Sequence, residues 1–487
     1  MFFNSIDFAI FLPIAFLLYW FVAKNNRKLQ NILLLIASYF FYACWDYRFL
    51  FLLIFSTLLD YTTGIKMGGA TKPKNRKFWF WVSVIVNLGF LGVFKYYDFF
   101  AEQFAQALSL LGFKTNIWVL NVILPVGISF YTFHGLSYVI DIYRKRIRPE
   151  RNFIDYSVFV SFFPLLVAGP IERATHLLPQ VKKERFFDYT KAVDGLRQIL
   201  WGLFKKIVIA DNCAEYANAI FNNSAAFSGS TLVLGAFFFA FQIYCDFSGY
   251  SDIAIGSARL FGIDLFRNFA FPYFSRDIAE FWRRWHISLS SWFRDYLYIP
   301  LGGSEGRTWM KLRNTFIIFL VSGFWHGANW TFIIWGALNA LYFLPSLLLN
   351  KNRNSLGTVA AGRLLPSLKD LLNISVTFGL TVFAWIFFRA ENVQHAVQYI
   401  SQIFSGSLFN MPEKAAFAGS ENNLFITILL LVLFIAIEWI GREQQYAIAN
   451  MGTRWPKMIR WSFYSFIIFL MAMYMSTSGS AFIYFQF

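Results

Sequence analysis

Residues Arg276 to Trp330 read RDIAEFWRRWHISLSSWFRDYLYIPLGGSEGRTWMKLRNTFIIFLVSGFWHGANW. An aromatic, polar segment carrying His286 runs into a basic loop, and an apolar segment carrying His326 follows. The chain holds 5 histidines, and two of them stand in this stretch. His326 lies between the apolar runs Phe316 to Val321 and Thr331 to Trp335, which puts it at membrane depth. An ionisable side chain there is costly and marks a functional site by default.

The composition around this stretch is that of a membrane protein. Of 487 residues, 57% are hydrophobic and 14% charged, with 62 phenylalanines and a mean hydropathy of +0.49. Soluble domains carry roughly a quarter charged residues. The net charge of +16 collects in short loops. One holds Lys66, Lys72, Lys74, Arg76 and Lys77; another holds Arg144, Lys145, Arg146, Arg148 and Arg151. Basic loops face the cytoplasm, and they also suit an acidic donor, either a nucleotide-bearing cofactor or an acidic carrier protein. Nucleic-acid binding is excluded, because the cations form neither one face nor a tail. Cys44, Cys213 and Cys245 have no metal or disulfide spacing. The first apolar segment lacks a basic leader region and reads as a retained helix.

Apolar runs of near-spanning length recur along the whole chain. They cover Ile6 to Ala23, Asn31 to Cys44, Phe49 to Leu59, Phe78 to Phe94, Ile117 to Phe133 and Phe153 to Ala168. Further runs are 195–210, 230–247, Phe316 to Trp325, Thr331 to Leu349, 372–388, 424–439 and 461–475. They predict an all-α, polytopic fold with about 11 to 13 spans, in a single domain over 1–487. Pro125 and Gly127 interrupt the fifth run, which requires neighbours or a cavity to satisfy the freed backbone groups. Residues 250–313 hold no clean span and predict interfacial or re-entrant amphipathic helices. On a continuous helix Phe281, Trp282, Trp285 and Leu289 share one face, while Arg283, Arg284 and Arg294 fall elsewhere.

His326 sits in Ser322-Gly323-Phe324-Trp325-His326-Gly327-Ala328-Asn329-Trp330. The small residues allow close approach of a backbone or a ligand. Ser322 at i−4 and Asn329 at i+3 share its helical face. Either would hold one ring nitrogen and leave the other as a general base; a histidine bonded between helices is the structural alternative. His286 suits binding an acyl carbonyl or an acceptor hydroxyl, or else snorkels to the interface. Arg283 and Arg284 suit headgroups, phosphates or an acidic carrier. With Trp282, Trp325, Asn329 and Ser322 they form the candidate donor-binding set. Asp246 and Asp252 suggest a cation site but lack a third ligand; turn or helix capping, or a buried polar partner, explains them instead. No metal site is expected. His134, His176 and His395 read as structural or loop residues. Without a phosphate loop, a GxSxG elbow or an HExxH helix, the chemistry that fits is direct transfer. A histidine deprotonates an acceptor, which attacks a thioester; a covalent acyl-histidine is the variant.

Several motifs together resemble the membrane-bound O-acyltransferase family, and within it the bacterial alginate O-acetyltransferase branch. They are Pro125-Val126-Gly127-Ile128-Ser129-Phe130-Tyr131-Thr132-Phe133, Phe163-Pro164 with Ala168-Gly169-Pro170-Ile171, and Tyr244-Cys245-Asp246-Phe247-Ser248-Gly249-Tyr250-Ser251-Asp252. Phe281-Trp282, Trp285-His286-Ile287-Ser288-Leu289-Ser290 and Asp295-Tyr296-Leu297-Tyr298-Ile299-Pro300-Leu301-Gly302-Gly303 follow. Gly323-Phe324-Trp325-His326-Gly327 and the closing Phe482-Ile483-Tyr484-Phe485-Gln486-Phe487 complete the set. The resemblance implies a helical enzyme around a central tunnel, with His326 at the catalytic position. His286 falls at a second polar position, where many members carry Asn or Asp. It implies an acetyl group taken from a cytoplasmic thioester, acetyl-CoA or an acyl-carrier protein, at the bacterial inner membrane. A separate periplasmic or extracellular transferase would then modify a polysaccharide. Two alternatives stand beside it. One is D-alanyl transfer to teichoic acid; the other is a polysaccharide or lipid transporter, against which the lack of paired broken helices counts.

Overall fold

The computed structural model describes residues 1–24, 26–113, 119–120, 123–167, 169–417, 424–475 and 482–483. Among them the protein is helical, with no β-strand. Six helices are long and apolar enough to cross a membrane: Tyr47–Gly68, Pro73–Leu110, Gly229–Leu260, Trp330–Leu348, Leu368–Arg389 and Leu424–Gly441. This is a multi-pass, all-α membrane protein.

Other expected spans are broken or shifted, for local reasons. Among the described residues of the run predicted over Ile117 to Phe133, the helix begins at Ile128, and it continues to Tyr143. Gly127 precedes it at φ 76°, and a Cβ there would overlap the Leu166 carbonyl. Only glycine fits such a turn. Residues 117–118 and 121–122, at the start of that run, lie outside the described residues, as does Ala168. Phe153 to Ala168 is split into Phe153–Ser161 and Phe163–Leu166, because Pro164 cannot continue a preceding helix. Residues 195–210 end in a π-helical turn, Lys205–Ala210. The predicted run 230–247 extends to a 32-residue helix, Gly229–Leu260. Asp246 and Asp252 are therefore mid-helix, and the turn or capping reading of them is corrected.

The chain forms two compact units. The first comprises Met1–Gly195 with Ser257–Phe266, and the second Leu196–Gly256 with Arg267–Phe487. In the first, Tyr47–Gly68 packs against Pro73–Leu91 and Ile128–Tyr143. Buried Asp60 accepts hydrogen bonds from Ser83 Oγ at 2.6 Å and Asn87 Nδ2 at 2.8 Å. Histidines serve structure here. His134 Nε2 accepts the Glu172 N–H at 3.1 Å, and His176 Nδ1 meets the Glu172 carboxylate at 2.7 Å.

The second unit is built around the N-terminal part of Gly229–Leu260. Its carboxylates meet lysines from the π-helical turn. Lys205 Nζ lies 2.6 Å from Asp252, and Lys206 Nζ lies 2.8 Å from Asp211 and 2.9 Å from Asp246. Where the sequence suggested a cation site, the cations are these ammonium groups. Asp246 also accepts the Ile483 N–H at 2.7 Å. Residues 484–487 of the closing motif lie outside the described residues. Gly202 and Gly249 bring backbones together, a Cβ on Gly202 falling 2.6 Å from the Gly249 oxygen.

Candidate active site

Both histidines of the opening stretch belong to the second unit; His326 ends a helix and His286 precedes one. His326 is the last residue of Thr308–His326. The chain then turns through Gly327 into Trp330–Leu348. The two helices form a close hairpin, because a Cβ on Gly323 would overlap the Phe332 carbonyl and one on Gly336 the Phe319 carbonyl. The hairpin sets the His326 ring edge-on against Trp335, 5.1 Å between centroids, and Phe388, 5.2 Å. Only 5% of the residue is exposed.

His286 lies between two seven-residue helices, Ile278–Arg284 and Ile287–Phe293. Its backbone is left-handed, at φ 42° and ψ 55°, so the continuous amphipathic helix expected through Trp285 and His286 is broken there. The ring stands edge-on to Phe247 at 4.7 Å. The Trp325 indole contacts both histidines, at 6.1 Å from His286 and 4.9 Å from His326. Burial pushes the His286 imidazole down to about 3, so it is neutral at physiological pH and can offer one N–H.

His286 and His326 line one cavity of about 230 Å³. Trp282 and Ser322 are in its wall, with Phe319 and Phe343 as apolar sides. It extends to Arg294 and Ser304, which are exposed, so the buried rings communicate with the surface. Of the candidate donor-binding residues, Trp282 and Ser322 are part of the lining. Arg283, Arg284, Trp325 and Asn329 are placed around it. Arg283 donates to the Asn352 and Ser355 carbonyls at 2.7 and 2.9 Å. Arg284 pairs with Glu280 at 2.8 Å and donates to the Ala270 and Gly357 carbonyls at 3.0 Å. Both guanidiniums thus fasten neighbouring chain. Asn329 does not share the His326 face, because the helix ends first. It caps the next helix, accepting the Thr331 N–H at 3.0 Å and donating to the Glu391 carbonyl at 2.7 Å.

Sequence reasoning missed Tyr298, Phe319 and Phe343 in the lining, and set Arg294 apart from the site. A π-helical turn, Arg294–Tyr298, brings Arg294 and Tyr298 into the wall. Such turns recur at functional sites but leave no periodic signature. Phe319 and Phe343 looked like ordinary span residues.

The chain's likeness to known proteins runs through both units. The profile of the MBOAT, membrane-bound O-acyltransferase family, matches residues 143–387, which include both histidines. A probable alginate O-acetylase of Pseudomonas aeruginosa is 38% identical over 460 residues, 94% of this chain and 84% of that protein. Its counterpart in Pseudomonas putida is 36% identical over 503 aligned positions, covering 100% of both chains. A peptidoglycan O-acetyltransferase of Helicobacter pylori is 34% identical, over 98% of this chain and 95% of that one. With the helical fold and the paired histidines, these matches establish that the chain belongs to the membrane-bound O-acyltransferase family and is an O-acyltransferase.

Proposed function

We propose that the protein takes an acetyl group from a cytoplasmic thioester, acetyl-CoA or an acyl-carrier protein, and passes it across the membrane for O-acetylation of an extracytoplasmic polysaccharide. In this reading it resides in a bacterial cytoplasmic membrane. It works with a separate periplasmic or extracellular transferase that modifies the polymer. The observation that carries the reading is the shared cavity, lined by two buried histidines and extending to exposed residues. The relatives, O-acetylases of alginate and an O-acetyltransferase of peptidoglycan by name, support acetyl as the group and a polysaccharide as the acceptor.

The chemistry follows from the residues. His326 takes the proton of the acceptor hydroxyl as the oxygen attacks the thioester carbonyl. Neutral His286 offers its N–H to the carbonyl oxygen, where negative charge develops. Collapse of the tetrahedral intermediate breaks the C–S bond, and the leaving thiolate receives the proton held by His326. Ser322 and Trp282 stand in the same wall to orient the group.

The test uses purified full-length protein with acetyl-CoA as probe, reading thiol release, together with ester analysis of polysaccharides from cells with and without the intact gene product. His326→Ala is expected to lower turnover by about 10²-fold or more, the scale of a general base, and acetyl esters are expected to vanish with the protein. Unchanged turnover in that variant would remove the assigned base. Loss of a D-alanyl ester instead of an acetyl ester would move the reading to teichoic acid.

A further inference from the structure

We infer that Asn268 is a positioning residue, whose three hydrogen bonds hold the left-handed turn that aims His286 into the cavity. The inference rests on the role proposed for His286. A left-handed backbone is unfavourable for a residue with a Cβ and persists only where its surroundings over-determine it. At His286 those surroundings are one segment, residues 268–270. On the C-terminal side of the turn, the Asn268 carbonyl accepts the Ile287 N–H at 2.9 Å, and its Oδ1 accepts the Ser288 hydroxyl at 2.6 Å. On the N-terminal side, the Ala270 N–H donates to the Arg284 carbonyl at 2.9 Å, and the Arg284 guanidinium returns a bond to the Ala270 carbonyl. The turn is thus clamped from both ends.

Asn268 also ties the clamp to the main helix of the unit. Its Nδ2 donates to Ser251 Oγ at 3.0 Å. Phe247, one turn before Ser251 on the same helix, carries the ring that faces His286. The side chain is completely buried and lies outside the cavity lining. It therefore acts on the reaction through the turn at His286 and not by touching the reacting groups. A small misplacement of a reacting group costs rate rather than binding, so its loss belongs in kcat.

A double-mutant cycle reads this directly. Full-length protein is assayed with acetyl-CoA as probe for His286→Ala, Asn268→Ala and the pair. Each single variant is expected to lower kcat by about 10- to 100-fold, with KM within about twofold, and the double variant to lose no more than His286→Ala alone. Multiplying losses would overturn the inference, since a merely structural residue damages the enzyme whether or not His286 is present. Wild-type kcat in Asn268→Ala would overturn it equally. Should Asn268→Ala not fold, Ser288→Ala in the same cycle removes one arm of the clamp, while Ser288→Thr keeps the hydroxyl and is expected to restore the rate. Full activity in His286→Ala is a separate failure: it removes the role proposed for that histidine, and the clamp with it.

Discussion

The two histidines differ in what holds them, and pH separates their roles. Burial keeps His286 neutral down to about pH 3, so it does not titrate between pH 5 and 8. An amide that also donates an N–H can take its place without adding a titration. We expect His286→Asn to lower the plateau of kcat against pH and leave the position of the acid limb unmoved. A displaced limb would show that His286 titrates in the working range after all. The cavity wall sets a second expectation. Phe343 closes one side of a space of about 230 Å³. A pocket discriminates by about 10- to 200-fold per methylene group. Phe343→Ala is therefore expected to raise turnover of butyryl-CoA relative to acetyl-CoA at least about tenfold; an unchanged ratio places the gauge elsewhere. At this scale the sequence was readable for residue type and misleading for direction. Rarity and depth singled out His326 and His286. Asn329 was put on the wrong face because helical spacing was carried past Gly327, although a small residue followed by Asn is also the signature of one helix ending and the next being capped.

Elements hold the site in place through close backbone contacts. Gly323 and Gly336 let the two helices of the His326 hairpin touch. Gly336→Val would force them apart, an overpacking change of about 1–3 kcal/mol, and would draw Trp335 off the His326 ring. A fall in Tm with a larger proportional loss of thiol release is expected; full activity would mean the hairpin tolerates separation. A second element shows its charge. The amphipathic helix Ala174–Lys182 is pinned by His176 to Glu172, outside the six apolar spans. That hydrogen bond raises the His176 imidazole above its usual 6.5. A raised folded value means the bond stabilises fully below the unfolded pKa, about 6.5, and the contribution disappears as pH climbs through the folded one. The Tm of the native protein is thus expected to drop above pH 6.5 more steeply than that of His176→Gln. Parallel curves would remove the linkage. The apolar runs announced the two helices of the hairpin, whereas Ala174–Lys182 falls outside every predicted run; elsewhere single breakers set the helix starts, Pro164 through its own ring and Gly127 through the distant Leu166 carbonyl.

At the scale of the whole molecule, Lys205, Lys206, Asp246 and Asp252 form a network that composition alone could not pair. Hydropathy read 195–210 and 230–247 as two apolar spans, and both hide ions: Lys205 and Lys206 on one, Asp246 and Asp252 on or just beyond the other. Nothing in their spacing says that a π-helical turn will point both lysines at those carboxylates. That pairing is a matter of tertiary structure. Its energetics are testable. Lys205 and Asp252 meet at 2.6 Å with side-chain exposures of 4% and 13%. Breaking such a pair strands a charge and costs about 3–5 kcal/mol, whereas replacing both partners by apolar residues is often neutral or stabilising. Asp252 also accepts from Gln198 at 2.6 Å, and Lys205 donates to Ser248 at 2.9 Å, so the double replacement leaves two neutral polar groups to find new partners. The expected order of Tm in detergent is native first, then Lys205→Met with Asp252→Leu, then Lys205→Met alone, the last lowest because Asp252 loses the ammonium group it is paired with. If the single variant proved as stable as the double, loss of the ammonium partner would carry no measurable cost. The network would then be a source of local polarity rather than a strut of this unit.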